Sequence, residues 1–176
     1  AFATGFEPSH AAIGPMAIVE ASDGSILVSG GAARSHIYRF DENGGEVLQA
    51  WAEVNYPIFN LAFDAQGQLW ATTGGGPVLQ LDPETGNILN EFGDGLTFAL
   101  AIETGSDLIF VSSNKGVEIF DPASQSFTHF SRDQDLRVGG LAFDSQGGLW
   151  ATTWPGGQPV VKFNARPRVA PMGGCE

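Results

Sequence analysis

Few residues in this sequence are arranged to do chemistry. His10, His36 and His129 are its only histidines, and they fall in three separate places without the close spacing by which imidazoles share a zinc ion. Cys175 is the one cysteine, which excludes an internal disulfide and a thiolate metal site. Asp64 and Asp144 each begin an Asp-x-x-Gly stretch. A calcium loop needs further oxygen ligands at alternating positions, which these stretches lack. Their spacing suits tight turns, in which the carboxylate accepts hydrogen bonds from the amides that follow. Asp82-Pro83 and Asp121-Pro122 fit the same use. Gly74-Gly75-Gly76 and Trp154-Pro155-Gly156-Gly157 have the composition of phosphate-cradling loops, but such loops lead into a helix and these lead into strand-like runs. Neither a Gly-x-Ser-x-Gly motif nor a candidate Ser, His and Asp triad occurs. These residues call for no metal and no cofactor.

The elements that must position any site follow from an internal repeat. Leu61-Ala-Phe-Asp-Ala-Gln-Gly-Gln-Leu-Trp-Ala-Thr-Thr73 returns as Leu141-Ala-Phe-Asp-Ser-Gln-Gly-Gly-Leu-Trp-Ala-Thr-Thr153, eleven of thirteen residues identical at a spacing of 80. A diverged copy runs from Leu100 to Ser113, and another from Met16 to Ser29, so the period is near 40 and four units fill the chain. Each unit reads as short runs rich in β-branched and aromatic residues, bounded by Gly, Pro, Asp or Asn. The glycine-free stretch from Glu46 to Asp64 loses its helical period at Pro57. About four strands per 40 residues is the pattern of radial blades. The fold class expected is therefore all-β, a β-propeller of four blades near residues 16–51, 60–92, 98–130 and 140–163. Trp70, Phe110 and Trp150 recur at one blade position and are expected to pack between adjacent sheets.

The fourth unit is short of an outer strand, because Pro167 and Pro171 disfavour one. Residues 1–6 have the apolar content to pair in a sheet, either completing the fourth blade or belonging to a preceding one. Three assemblies fit: a closed four-blade ring, a fragment of a longer chain, and half-rings that self-associate to complete the propeller.

Blades place the loops between second and third strands beside the loops that join one blade to the next. The candidate ligand-binding residues on that face are Arg34, His36, Tyr56, Asn114, Arg137 and Trp154, with Asn55, Lys115 and Arg132 among their neighbours. They gather cations on one face of an acidic chain and point to an anionic or carbohydrate-like group.

The order apolar-x-apolar, Asp, two residues, Gly, x, Leu-Trp, small-Thr-Thr, then a glycine loop, resembles the blades of NHL-type propellers, streptogramin (virginiamycin B) lyases and gluconolactonase-like proteins. The likeness covers about 150 of 176 residues, and Gly14-Pro15-Met16-Ala17-Ile18 is similar to the start of the lyase repeat. It implies blades rather than an activity, since one fold hosts many functions. The lyases carry a Trp-Phe-Thr-Glu-like stretch, whereas the matching residues here are Trp70-Ala71-Thr72-Thr73 and Trp150-Ala151-Thr152-Thr153, with no glutamate. Gluconolactonase-like enzymes hold a divalent metal over the channel, and Asn60 and Glu103 are the loosely comparable positions.

With 20 Asp and Glu against 8 Lys and Arg, a formal net charge of -12 and no basic run, the chain excludes nucleic acid and anionic lipid as partners. It contains no run of eighteen apolar residues and no intact signal peptide, so membrane insertion is not expected. Few thiols, few lysines and high acidity suit an extracellular or periplasmic protein. The function expected is a non-catalytic propeller module of an exported bacterial protein, binding a protein or carbohydrate ligand at the loop face. The alternative is a metal-dependent lyase or lactonase-type enzyme whose catalytic residues lie partly outside this chain.

Overall fold

The computed structural model describes residues 1–10, 12–47, 49–131, 138–153 and 160–163, which form seventeen strands and no helix. In chain order, β1 (Ala3–Thr4) precedes blade 1, which comprises β2 (Pro15–Glu20), β3 (Ile26–Gly30), β4 (His36–Phe40) and, after β5 (Gly45–Glu46), β6 (Ala52–Glu53). Blade 2 comprises β7 (Asn60–Phe63), β8 (Leu69–Thr72), β9 (Val78–Leu81) and β10 (Ile88–Phe92). Blade 3 comprises β11 (Thr97–Ile102), β12 (Ile109–Ser113), β13 (Gly116–Asp121) and β14 (Ser126–Ser131). Blade 4 comprises β15 (Val138–Phe143), β16 (Leu149–Thr153) and β17 (Val161–Phe163). Each blade is an antiparallel sheet in simple up-and-down order, and the inner strands of consecutive blades, β2, β7, β11 and β15, lie side by side. The four sheets form a four-blade β-propeller arrangement.

The Asp-x-x-Gly turns are explained by two hydrogen-bond sets. Asp64 Oδ1 accepts from the amides of Gln66 (3.0 Å) and Gln68 (2.8 Å), and its Oδ2 accepts from Trp70 Nε1 at 2.8 Å. Asp144 repeats this with Gln146, Gly148 and Trp150 Nε1 at 2.9 Å. One carboxylate thus closes the turn and fixes the indole six residues later. The indole N–H has its partner inside its own blade, so the Trp70 ring is free to pack as a hydrophobe.

The alternation of each strand sends one set of side chains forward to the next blade and one set back. Leu27, Leu61, Ala71, Leu79 and Leu81 fill the junction of blades 1 and 2. Trp70, Val78, Leu100, Ile109 and Phe120 fill that of blades 2 and 3, and Ala101, Phe110, Ile119, Leu149 and Ala151 that of blades 3 and 4. Hydroxyls two residues after the Trp position cross each junction. Ser29 Oγ donates to Ile58 O (3.2 Å), Thr72 Oγ1 to Phe98 O (2.6 Å) and Ser112 Oγ to Val138 O (3.2 Å). The small-Thr-Thr part of the repeat is a bolt from one blade to the start of the next inner strand.

Three expectations are corrected. Trp70 and Phe110 are packed between sheets, but Trp150 is 38% exposed against 2% for Trp70, because among the described residues no further blade covers it. Residues 1–6 pair in a sheet, but with blade 1 of the same chain and not with blade 4: Ala3–Thr4 pair in parallel with Gly45–Glu46, and Phe6 packs on Tyr38 and Phe40. Gly44 permits this pairing, since it holds φ +74° and a Cβ there would lie 1.7 Å from Phe2 O. With residues 45–46 drawn off to β1, the outer strand of blade 1 shrinks to Ala52–Glu53, past the limit of residue 51 expected for that blade. Blade 4 has three strands among the described residues; Pro167 and Pro171 lie outside them.

Candidate functional site

Residues 31–35, which join β3 to β4, and residues 54–59, which join blade 1 to blade 2, are zipped together by backbone bonds from Val54 N to Ser35 O (3.0 Å) and Ile58 N to Arg34 O (2.8 Å). Between them lies an open hollow of about 470 Å³ lined by residues 32–35 and 54–57. The loops run over the surface, as loops that carry binding residues do, while Val54 and Ile58 bury their side chains in the junction core and hold the rim in place.

Arg34 and Tyr56 line this hollow with Asn55 and Ser35. Tyr56 Oη donates to Glu91 Oε2 at 2.8 Å, and that bond to the carboxylate pushes its pKa above the usual phenol value, so the phenol stays protonated. Gly76 comes up against the Tyr56 ring, where a Cβ would lie 3.1 Å away. Gly74 has φ +65° and backs onto Phe59, whose ring a Cβ would meet at 2.1 Å. The glycine loop is a packing device that lets the blade 2 loop lie flat against the site.

Arg34 donates from Nη2 to Ser9 Oγ at 3.4 Å and pairs with no carboxylate among the described residues. The other three described Lys and Arg side chains are paired: Arg39 with Asp23, Lys115 with Asp94 and Lys162 with Asp144. A guanidinium left with spare donors, in a chain of net charge -12, can receive a carboxylate, a phosphate or a sugar hydroxyl bidentately. Asn55 is exposed and Tyr56 half-buried beside it, which supplies an amide and an aromatic face.

The remaining candidates separate. His36 is not among the residues lining the hollow; its Nε2 lies 3.4 Å from Glu53 Oε1 and its Nδ1 3.3 Å from Tyr38 Oη. It ties β4 to β6, its partner in register, and so supports the loop from below. Asn114 is exposed on the blade 3 loop near Gly95, and Lys115 beside it pairs with Asp94 at 3.3 Å. Arg132, Arg137 and Trp154 lie outside the described residues. The repeat does not mark the hollow: Arg34 and Tyr56 fall in loops where the four units differ.

Among the described residues no three His, Cys, Asp or Glu side chains come together to hold a metal. Asn60 opens β7 and gives its side chain to Leu61 N (2.9 Å) and Leu100 O (3.4 Å), whereas Glu103 follows the end of β11 and accepts from Ser106 Oγ. The two positions comparable to a lactonase metal site therefore serve turns and strand starts. The described residues do not fit a divalent metal there.

No known family model matches the sequence, and no curated protein sequence matches it. Solved structures do. Virginiamycin B lyase from Staphylococcus aureus superposes with a TM-score of 0.62 over 85% of this chain and 55% of its own, at 16% identity. YCF48, solved bound to a D1 peptide, gives 0.69 over 97% and 55%, at 14% identity. The extracellular domain of BT4673 from B. thetaiotaomicron gives 0.58 over 79% and 20%, at 18% identity. What is shared is the propeller fold. This chain spans about half the length of the lyase and of YCF48 and a fifth of the BT4673 domain. Identities this low carry the blades across and leave each protein its own site.

Proposed function

We propose that this chain is a non-catalytic propeller module of an exported bacterial protein, and that it binds a protein or glycan through the hollow between the β3–β4 loop and the blade 1–blade 2 connection. The observation that carries the reading is Arg34, the one described Lys or Arg side chain without a carboxylate partner, standing at a hollow with Asn55 and Tyr56. An anionic group is the complement of such a site, and on a chain this acidic an anion has few other places to bind. A propeller bound to a peptide and a propeller forming an extracellular domain, both similar in fold, support the ligand class and the location.

The test is isothermal titration of the chain with uronic-acid oligosaccharides and with short acidic peptides. At least one class is expected to bind, and Arg34→Ala to weaken that binding tenfold or more, about 1.4 kcal/mol, with circular dichroism unchanged. Binding that survives Arg34→Ala at full strength, or none with either class, overturns the assignment.

A further inference from the structure

Each end of the four-blade array displays half of a blade junction. Trp70 is buried against blade 3, but Trp150, at the same register position and with the same bond to its turn aspartate, is 38% exposed. Ala142, Thr152 and Lys162 on the same face are exposed as well. Thr152 occupies the position from which Ser29, Thr72 and Ser112 bolt each blade to the next.

At the opposite end, Ile18 faces Val28 across β2 and β3 as Leu100 faces Val111 across β11 and β12. Leu100 is 3% exposed beneath the Trp70 cluster, and Ile18 is 66% exposed. No hydrophobic cluster among the described residues joins blade 4 to blade 1.

The N-terminal segment supplies the rest of the geometry. In the inner junctions, an aromatic residue of one blade's outer strand lies on a third-strand residue of the next blade: Phe92 on Phe120 at 4.7 Å and Phe130 on Phe163 at 5.2 Å. Phe6 lies on Phe40 at 6.0 Å, and Phe40 is paired with Ile26 as Phe120 is paired with Ile109. Residues 1–6 therefore sit where the outer strand of a preceding blade belongs. Among the described residues blade 4 is the blade short of that strand, and β17 is its edge. An unpaired edge beside an exposed apolar face is a template for another chain.

We propose that the occupant of both surfaces is a second copy of this chain, docked head to tail. Ile18 of one copy packs on Trp150 of the other, residues 1–6 run along the other copy's β17, and the start of β2 receives the Thr152 hydroxyl. This continues the stacking already present three times within the chain. Two such junctions around a two-fold axis join two four-blade arrays into a ring of eight blades, at the upper end of the usual four to eight, and closure leaves no open side.

Light scattering from micromolar to near-millimolar concentration tests this on the chain itself and on Ile18→Asp and Trp150→Lys. Both side chains are exposed in the single copy, so thermal unfolding at low concentration checks that each variant folds. The chain is expected at twice 18.5 kDa and each variant near 18.5 kDa. Mixing the two variants is expected to restore the doubled mass, since one junction is then unaltered and the other opposes Asp to Lys. A chain that stays at the single mass throughout, a dimer that both substitutions leave intact, or filaments of growing mass would overturn the proposal.

Discussion

At the scale of single residues, the informative positions are those where one side chain serves two elements. Asp64 is the case in point, since one carboxylate closes a turn and holds the indole of a buried Trp70. Removing it strands a buried N–H donor and opens the turn together, each costing on the order of 1–3 kcal/mol. Asp64→Ala is expected to lower stability by about 3 kcal/mol in chemical unfolding. Asp144→Ala, which frees an indole that water can reach, should cost clearly less. Equal losses would mean that the turn alone matters. The spacing of Asp and Trp in the two best-matched units is visible in the sequence, but the bond between them is not, because spacing fixes the turn and leaves the rotamer open. For the same reason His36 reads as a loop-face residue and is in fact a strand tie to Glu53 and Tyr38.

At the scale of elements, blade stacking rests on forward-facing apolar side chains and on one hydroxyl per junction. Thr72 Oγ1 reaches Phe98 O, while its counterpart Thr152 is exposed and has no bond across a junction among the described residues. Thr72→Val keeps the shape and removes the donor, leaving the Phe98 carbonyl short of a partner, and is expected to cost about 1 kcal/mol. Thr152→Val should leave the stability of the single copy unchanged. Urea unfolding of both variants checks the pair, and an equal effect would contradict the role given to these hydroxyls. The strands themselves were legible from β-branched runs and turn residues. The small-Thr-Thr signature was legible as a repeat, though its use as a bolt appears only once blades are neighbours.

At the scale of the whole molecule, every blade carries an aspartate whose carboxyl is held below its ordinary value of 3.8. Asp23 is lowered to about 2, first by the Ser25 hydroxyl, then by the Ser25 amide and by Arg39. Asp82 is lowered by the amides of Glu84 and Thr85, Asp121 by the Ser124 hydroxyl and the Ala123 amide, and Asp144 by the Trp150 indole and the Gly148 amide. A carboxyl depressed in the folded state stabilises above its unfolded pKa, and that stability is lost as pH falls through the folded value. The thermal midpoint is therefore expected to fall as pH drops from about 4 toward 2, and Asp23→Asn should make the decline shallower. A midpoint flat to pH 2 would sink this account.

The sequence by itself determined the blade. A period near 40 with strand-length apolar runs and Asp-x-x-Gly turns leaves little choice of local structure, because turn chemistry and side-chain alternation act within a few residues. What only the tertiary structure decided is what each blade faces. Trp70 and Trp150 lie in nearly identical stretches, and one is buried while the other is open, since burial depends on whether another sheet follows. The N-terminal segment follows the same logic: its apolar residues announced a sheet contact, but Gly44 and the aromatic face of Tyr38 and Phe40 settled which sheet. The binding hollow is likewise a product of assembly, formed where two loops from distant stretches meet over a blade junction that neither loop specifies alone.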